Sequence, residues 1–348
     1  MTTLEILRAH TARWPEMLPQ DGLKLLYQHS FGGGHLIRDP REAQQRLEQE
    51  YEATQPDDRL PLFEPLGGGW ARLHLAAAKS AGVSAALVGK MFLASARPTP
   101  EDRTLQGVDE LRALVRQGAC PAFDAAALEE CLAGYTGEPV SHTGRYREAY
   151  HPAYRVVDAR LEALLPLLLR VEAERPHRVA IEGRAASGKT TAAEFLAAMY
   201  GYEVVHMDDF FLPFDMRSAA RLAEPGGNVH YERFKEEVLP GLAGQAKFSY
   251  GVFDCSQGKL SGRKEIDGAK PVLVEGAYCL RPDFDRPYDL TAFYDIDPQE
   301  QKKRILLRNG PRMAERFEKL WVPLENRYHE HCRTAQRADV LLRETEQT

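Results

Sequence analysis

Gly183-Arg184-Ala185-Ala186-Ser187-Gly188-Lys189-Thr190 reads G-x-x-x-x-G-K-[ST]. It lies between an apolar, β-branched run, Arg178-Val179-Ala180-Ile181-Glu182, and a helix-forming stretch over 191–200. A strand that enters a glycine-bearing loop and then a helix turns backbone N–H groups, and the positive end of the helix dipole, toward one point. That is what phosphate oxygens require. On this reading the loop residues Gly183, Arg184, Ala185, Ala186, Ser187, Gly188, Lys189, Thr190 and Thr191 cradle a nucleotide. Lys189 reaches the β- and γ-phosphates and the Thr190 hydroxyl holds Mg²⁺. ATP and Mg²⁺ are the cofactors expected.

The chain around this motif has 348 residues, more than one hydrophobic core usually supports, so two domains are expected. Apolar residues make up 43% and charged residues 28%, an ordinary globular balance with enough apolar material for real cores, so disorder is not the leading expectation. With a net charge of −6 and scattered Lys and Arg, a nucleic-acid partner is disfavoured. The five cysteines are an odd number, widely spaced and without a C-x-x-C pair, which predicts free thiols in a reducing, cytoplasmic setting. Glu5, Arg8, His10 and Arg13 interrupt any leader-like apolar segment, and the longest apolar run is too short to span a bilayer. The expected partner is therefore a small-molecule substrate rather than nucleic acid or membrane, with room left for a homo-oligomer.

Two regimes divide the chain. Residues 1–174 read as a mainly α-helical domain, with apolar spacing near 3.6 over 71–81, 84–96, 105–117, 125–132 and 153–174. Asp39-Pro40-Arg41-Glu42 is a compact helix start, with Asp39 as N-cap and Pro40 at the first helical position. Residues 175–348 instead alternate short β-branched runs (178–182, 202–207, 271–275, 290–295, 339–342) with helical segments. This pattern predicts an α/β domain: a parallel sheet flanked by helices.

Ligands of such sheets sit beyond the carboxyl ends of the strands. Val204-Val205-His206-Met207-Asp208-Asp209-Phe210-Phe211 ends an apolar run in two acids. Asp208 is the candidate base for an attacking hydroxyl, and Asp209 a candidate for placing Mg²⁺ or a water; the alternative is that the pair caps the next helix. Pro271-Val272-Leu273-Val274-Glu275-Gly276 ends in a carboxylate suited to the metal, though a strand also commonly ends this way. Arginines at 304, 308, 312 and 316 recur every fourth residue across Gly310-Pro311, which predicts a hinged lid. Arg308, Arg312 and Arg316 would neutralise a transferring phosphoryl group, and the alternative is a solvated basic face.

These four elements, in this order over 177–342, resemble the uridine kinase and phosphoribulokinase group of phosphate-loop kinases, which also includes one type of pantothenate kinase. The resemblance implies the phosphate-loop fold and an ATP- and Mg²⁺-dependent kinase that phosphorylates an alcohol. It puts the general base on Asp208 and a metal-holding carboxylate on Glu275. The segment over 223–234 resembles the one with which the group covers its substrate, making Asn228, His230, Tyr231 and Arg233 candidate contacts; it also reads as a loop capping the following helix. The substrate-reading residues depart from the group. Phe253-Asp254-Cys255-Ser256-Gln257-Gly258 lacks its tyrosine hydroxyl and histidine, Phe211 replaces a tyrosine, and Arg184 stands where glycine is usual. A nucleoside is the first acceptor to expect, with a pantothenate-like or sugar-like metabolite as the alternative. From another class, a nucleotide-hydrolysing switch whose helical half binds a partner also fits the phosphate loop.

In the first half, the glycine triplets at 32–34 and 67–69, and the stretch 141–155 rich in His, Tyr and Arg, stand out. Convergence of His35, His142 and His151 with Glu64 and Arg72 would make a metal or anion site. The alternative is that these side chains pack at a domain interface.

Overall fold

The computed structural model describes residues 1–98, 100 and 103–344, which form two compact units divided after Glu162. The first unit is mainly helical around an antiparallel sheet of three strands, β1 (Phe63–Gly67), β2 (Trp70–His74) and β3 (Tyr154–Asp158), in the order β1-β2-β3. This sheet corrects the expected helices over 71–81 and 153–174. Each is a strand followed by a helix, Leu75–Ser80 in the first case and Leu161–Glu174 in the second. All five residues of β2 are buried, so the strand carries no polar alternation to separate it from a buried helix.

The second glycine triplet is the β1–β2 turn. Gly67, Gly68 and Gly69 all have positive φ, and a Cβ on Gly68 would lie 2.0 Å from the His29 carbonyl oxygen, so only glycine fits. Helix Pro40–Ala53 starts as expected, with the Asp39 carboxylate accepting from the N–H groups of Arg41 (2.8 Å) and Glu42 (2.9 Å). Leu7, Trp14, Leu26, Trp70, Leu111 and Val156 belong to the apolar core of the unit.

The second unit, from 163, takes in most of helix Leu161–Glu174, which sequence spacing assigns to the first domain. Its sheet has five parallel strands: β4 (Arg178–Gly183), β5 (Glu203–His206), β8 (Val272–Glu275), β9 (Leu290–Tyr294) and β10 (Val340–Leu342). Their order is β10-β9-β4-β8-β5. Helix Lys189–Tyr200 lies between β4 and β5, and helices Pro298–Arg316 and Val322–Cys332 lie between β9 and β10. All five strands fall on predicted runs.

An unpredicted antiparallel hairpin, β6 (Lys247–Asp254) and β7 (Lys259–Asp267), lies in the chain between β5 and β8. Most of β7 is exposed and polar, so it gives no hydrophobic signal. Lys264 on β7 donates to the Val204 carbonyl oxygen of β5 at 2.7 Å. Among the described residues no helix is long and apolar enough to cross a membrane. All five cysteines are free.

Burial leaves the first unit with three histidines that resist protonation. Desolvation pushes His10, His35 and His142 down to about 4; Arg72 adds to the effect at His10 and His142, and Lys24 at His35 and His142. Because each folded value lies below the unfolded one near ~6.5, the stability they contribute is present above that pH and is lost as pH falls toward about 4. The thermal midpoint read by fluorescence of the buried Trp14 and Trp70 should therefore drop between about pH 7 and about pH 4.5. An unchanged midpoint would contradict this assignment.

Candidate active site

The parallel register sets the site. Ile181 of β4 pairs with Glu275 of β8, and Glu275 pairs with His206 of β5, so β8 and β5 end at one level, β4 runs two residues beyond it, and all three deliver their next residues to one edge. Gly183 closes β4 with φ +152°, and a Cβ there would sit 2.3 Å from the Tyr294 carbonyl oxygen of β9. Gly188, at φ +104°, then starts helix Lys189–Tyr200, whose first N–H groups have no partner inside the helix. Ser187 Oγ is buried with no hydrogen-bond partner, a donor left unspent within the loop. Loop amides, a helix start and an orphaned hydroxyl together suit phosphate oxygens. Lys189 is buried and folds back over the loop, donating from Nζ to the Arg184 carbonyl oxygen at 2.7 Å. Thr191 lies in the first turn of the helix.

Arg184 joins the loop to helix Val322–Cys332 by hydrogen-bonding Asn326 Oδ1, and its Nε lies 3.5 Å from Asp295. From the same helix the buried Glu325 accepts from the Ala185 N–H at 2.9 Å, and burial raises its carboxyl above the usual range. Ala185 and Ala186 carry the loop on, Ala186 at φ +61°.

Glu275 accepts a 2.6 Å hydrogen bond from His206 Nδ1, and its carboxylate lies 3.3 Å from the Thr190 hydroxyl. The same bond holds the His206 imidazolium above its ordinary pKa. Asp208 stands in the one-turn 3₁₀ helix Met207–Phe210, open to solvent on its outer side. Desolvation by the surrounding site, reinforced by the Glu275 charge, raises its carboxyl, while Lys189 opposes the shift. Glu275 and Lys189 therefore both act on Asp208. Asp209 turns elsewhere: its carboxylate accepts from Tyr250 at 3.1 Å and its carbonyl oxygen from Arg233 at 3.3 Å.

Among the described residues no group of three or more His, Cys, Asp or Glu side chains is arranged to hold a metal. One hydroxyl and one carboxylate side by side do match what Mg²⁺ takes from a protein when phosphates and water supply its other ligands. Thr190 and Glu275 are that pair, while the Asp209 carboxylate is hydrogen-bonded to Tyr250.

The expected substrate contacts fare unevenly. Phe211 forms an isolated bridge with Val229. Asn228 gives its carbonyl oxygen to the Leu212 N–H, while its side-chain Oδ1 is buried without a partner. His230 caps helix Tyr231–Glu237, accepting from the Arg233 N–H, which is the helix-capping alternative. Tyr231 is 4% exposed, with Arg281 4.0 Å over its ring, so it is a core residue and not a surface contact. Its hydroxyl fills the space beside Gly226, where a Cβ would lie 2.3 Å from it.

The arginine ladder is also corrected. Helix Pro298–Arg316 is broken at Gly310 (φ 74°, ψ 168°), so the four-residue repeat does not hold one face across the break. Arg308, Arg312 and Arg316 are exposed, Arg308 bonding Asn309 and lying over Phe317, and Arg316 over Trp321. Arg304 is held by Glu300 and Glu344.

Three features escape sequence reasoning. His206 gains its role only through pairing beside Glu275. Cys255, at the tip of the β6–β7 hairpin, lies within electrostatic reach of Asp208 and Arg217. Glu182 is fully buried under the phosphate loop, accepting from the N–H groups of Gly183 (3.1 Å), Tyr278 (2.8 Å) and Leu280 (3.0 Å) and from the Tyr328 hydroxyl (3.1 Å). Desolvation pushes its carboxyl up to about 7 in spite of these donors. An acid ending an otherwise apolar strand is the one signal that could have pointed to it.

No family model matches the chain. Among solved structures it is similar to a possible uridine kinase from Bacillus stearothermophilus at 17% identity and a TM-score of 0.42, over 53% of this chain and 99% of that one. It is also similar to a candidate fructose transport system kinase from Silicibacter sp. TM1040, at 21% identity and a TM-score of 0.43, over 53% of this chain and 97% of that one.

Removing Glu182 strands three buried N–H groups at once. Glu182→Ala should cost about 3 kcal/mol or more in urea unfolding followed by circular dichroism. A loss below about 1 kcal/mol would mean that the carboxylate does not hold the loop.

Proposed function

We propose that the chain is an ATP-dependent kinase of a small molecule, transferring the γ-phosphoryl group to a hydroxyl. The observation that carries this reading is the arrival of Lys189, Thr190, Glu275 and Asp208 at one edge of the sheet, beside a loop with unspent donors. Lys189 and the loop amides hold the phosphates. Mg²⁺, when bound between Thr190 and Glu275, would neutralise charge on the phosphate oxygens. Asp208 accepts the proton of the acceptor hydroxyl as its oxygen bonds to phosphorus and ADP departs. A raised carboxyl is a stronger base, which suits that role. Arg308, Arg312 and Arg316 stand exposed on either side of the Gly310 joint, placed on the segment that would close over the phosphates.

For the acceptor, a nucleoside is the first class to try. A pantothenate-like or sugar-like alcohol is the alternative, supported by the apolar Phe253 and by Cys255 near Asp208, where a base-reading hydroxyl and imidazole would otherwise stand.

A metabolite library incubated with ATP and the full chain, read by mass spectrometry, tests the reading: one class of alcohol should gain a phosphoryl group. ATP hydrolysis that no acceptor changes would point instead to a nucleotide switch. Asp208→Asn should cut transfer by ~100-fold or more with ATP affinity nearly intact, as expected for loss of a general base. Lys189→Ala should weaken both binding and transfer. Wild-type rates in Asp208→Asn would remove that residue from the mechanism.

A further inference from the structure

Of His35, His142, His151, Glu64 and Arg72, whose convergence the sequence suggests, His142, Arg72 and Glu64 join one hydrogen-bonded chain in the first unit. His151, a left-handed helix cap, and His35, edge-on to Tyr27, take no part in the hydrogen-bonded chain. The acid at the buried end of that chain, Asp21, already takes four donors: His142 Nδ1 (2.9 Å), the Thr143 N–H (3.0 Å), the Leu18 N–H (3.0 Å) and Thr143 Oγ1 (2.7 Å). Glu275, in the second unit, is held differently, with one oxygen bound tightly and the other lightly.

Glu275 is the last residue of β8 and His206 the last of β5, and the two are register partners on adjacent parallel strands. Side chains paired in this way stand on the same face of the sheet, so the imidazole and the carboxylate meet. Nδ1 lies 2.6 Å from Oε1. An ionised carboxylate only accepts, so the Nδ1 proton is the one donated, whatever the state of Nε2. The strand beneath His206 is pinned on both sides. The Glu203 N–H bonds the Pro271 carbonyl oxygen at 2.8 Å, and Lys264 Nζ of the hairpin bonds the Val204 carbonyl oxygen at 2.7 Å. The imidazole is therefore a fixed post, and Glu275 is turned by it. Thr190 Oγ1 lies 3.3 Å from Oε2 and 3.4 Å from Oε1, both longer than the ~2.7–2.8 Å of a usual hydroxyl bond. Oε1 is thus committed to His206, while Oε2 keeps its capacity for another partner.

We propose that His206 is a positioning residue that makes Glu275 a one-oxygen ligand, and in doing so sets the preference of the site for Mg²⁺ over Ca²⁺. The inference rests on the kinase reading above. Mg²⁺ is small and octahedral and takes single oxygens at about 2.0–2.1 Å, whereas Ca²⁺ takes more oxygens at about 2.3–2.6 Å and commonly grips both oxygens of one carboxylate. With Oε1 held by the imidazole, the two-oxygen grip is open to Ca²⁺ only if the 2.6 Å bond breaks. A single-oxygen contact costs no such bond. The same N–H fixes how the carboxylate is turned, which is what partners behind a metal ligand do generally.

Calorimetry on the full chain tests this without turnover. Affinity for the β,γ-imido analogue of ATP is measured in excess Mg²⁺, in excess Ca²⁺ and in EDTA, and the gain over EDTA is the contribution of each ion. In the wild-type chain Mg²⁺ should give the larger gain. His206→Ala frees Oε1 and loosens the carboxylate, so the Mg²⁺ gain should fall about tenfold, the lower end of such outer-shell effects, while the Ca²⁺ gain holds or rises. His206→Leu, which keeps bulk without the N–H, serves where the shorter side chain upsets folding as read by circular dichroism. His206→Asn places an amide N–H where Nδ1 stands and should restore the Mg²⁺ preference. An equal loss of both gains in His206→Ala or His206→Leu would mark a merely structural residue and overturn the proposal, as would an undiminished Mg²⁺ preference. Ca²⁺ matching Mg²⁺ in the wild-type chain would overturn it with the kinase reading intact. No binding of the analogue under any of the three conditions would overturn both.

Discussion

The second unit rests on one constraint, that β4, β8 and β5 run parallel and in step. A parallel ladder with its strands in step gathers whatever follows the last paired residue at one rim. Here that rim receives the phosphate loop after β4, Glu275 at the end of β8 and His206 with Asp208 after β5. Glu182 then fixes the rim from below. Its carboxylate gathers the loop's first N–H, two N–H groups of the turn after Glu275 and the Tyr328 hydroxyl, so three segments distant in sequence share one anchor. A carboxylate with no water near it is costly, and only several donors make it tolerable.

The phosphate loop is tied to the far helix through two contacts, of which a glycine at 184 would remove the first. Arg184 reaches Asn326, and Glu325 reaches the Ala185 N–H. Both lie on helix Val322–Cys332, the same helix that supplies Tyr328 to Glu182. An arginine in place of the usual glycine is thus absorbed by partners beyond the lid segment.

What the sequence made legible follows from which physical signals are local. The five parallel strands stood out because buried parallel strands are continuous β-branched runs, and Lys189 and Thr190 because their chemistry demands a fixed spacing. Strand β2 was read as helix because all of its residues are buried, Arg72 and His74 included, so nothing alternates. Strand β7 was missed for the opposite reason, being mostly exposed. His206 and Glu325 gain their meaning from neighbours brought up by the fold, which no local pattern records. Tyr231 looked like a substrate contact on its chemistry alone; burial under Arg281 decides otherwise.

The Lys264 contact bears on how copies of the chain meet one another. Strand β5 ends the five-stranded sheet, and an unprotected terminal strand invites a second molecule to continue the ladder. Lys264 occupies one of the carbonyl groups such a neighbour would need, and its charge would face any incoming backbone. At the opposite border β10 offers only three residues, too few to template a stable extension. Continuous growth of this five-stranded sheet is thus discouraged at both of its borders.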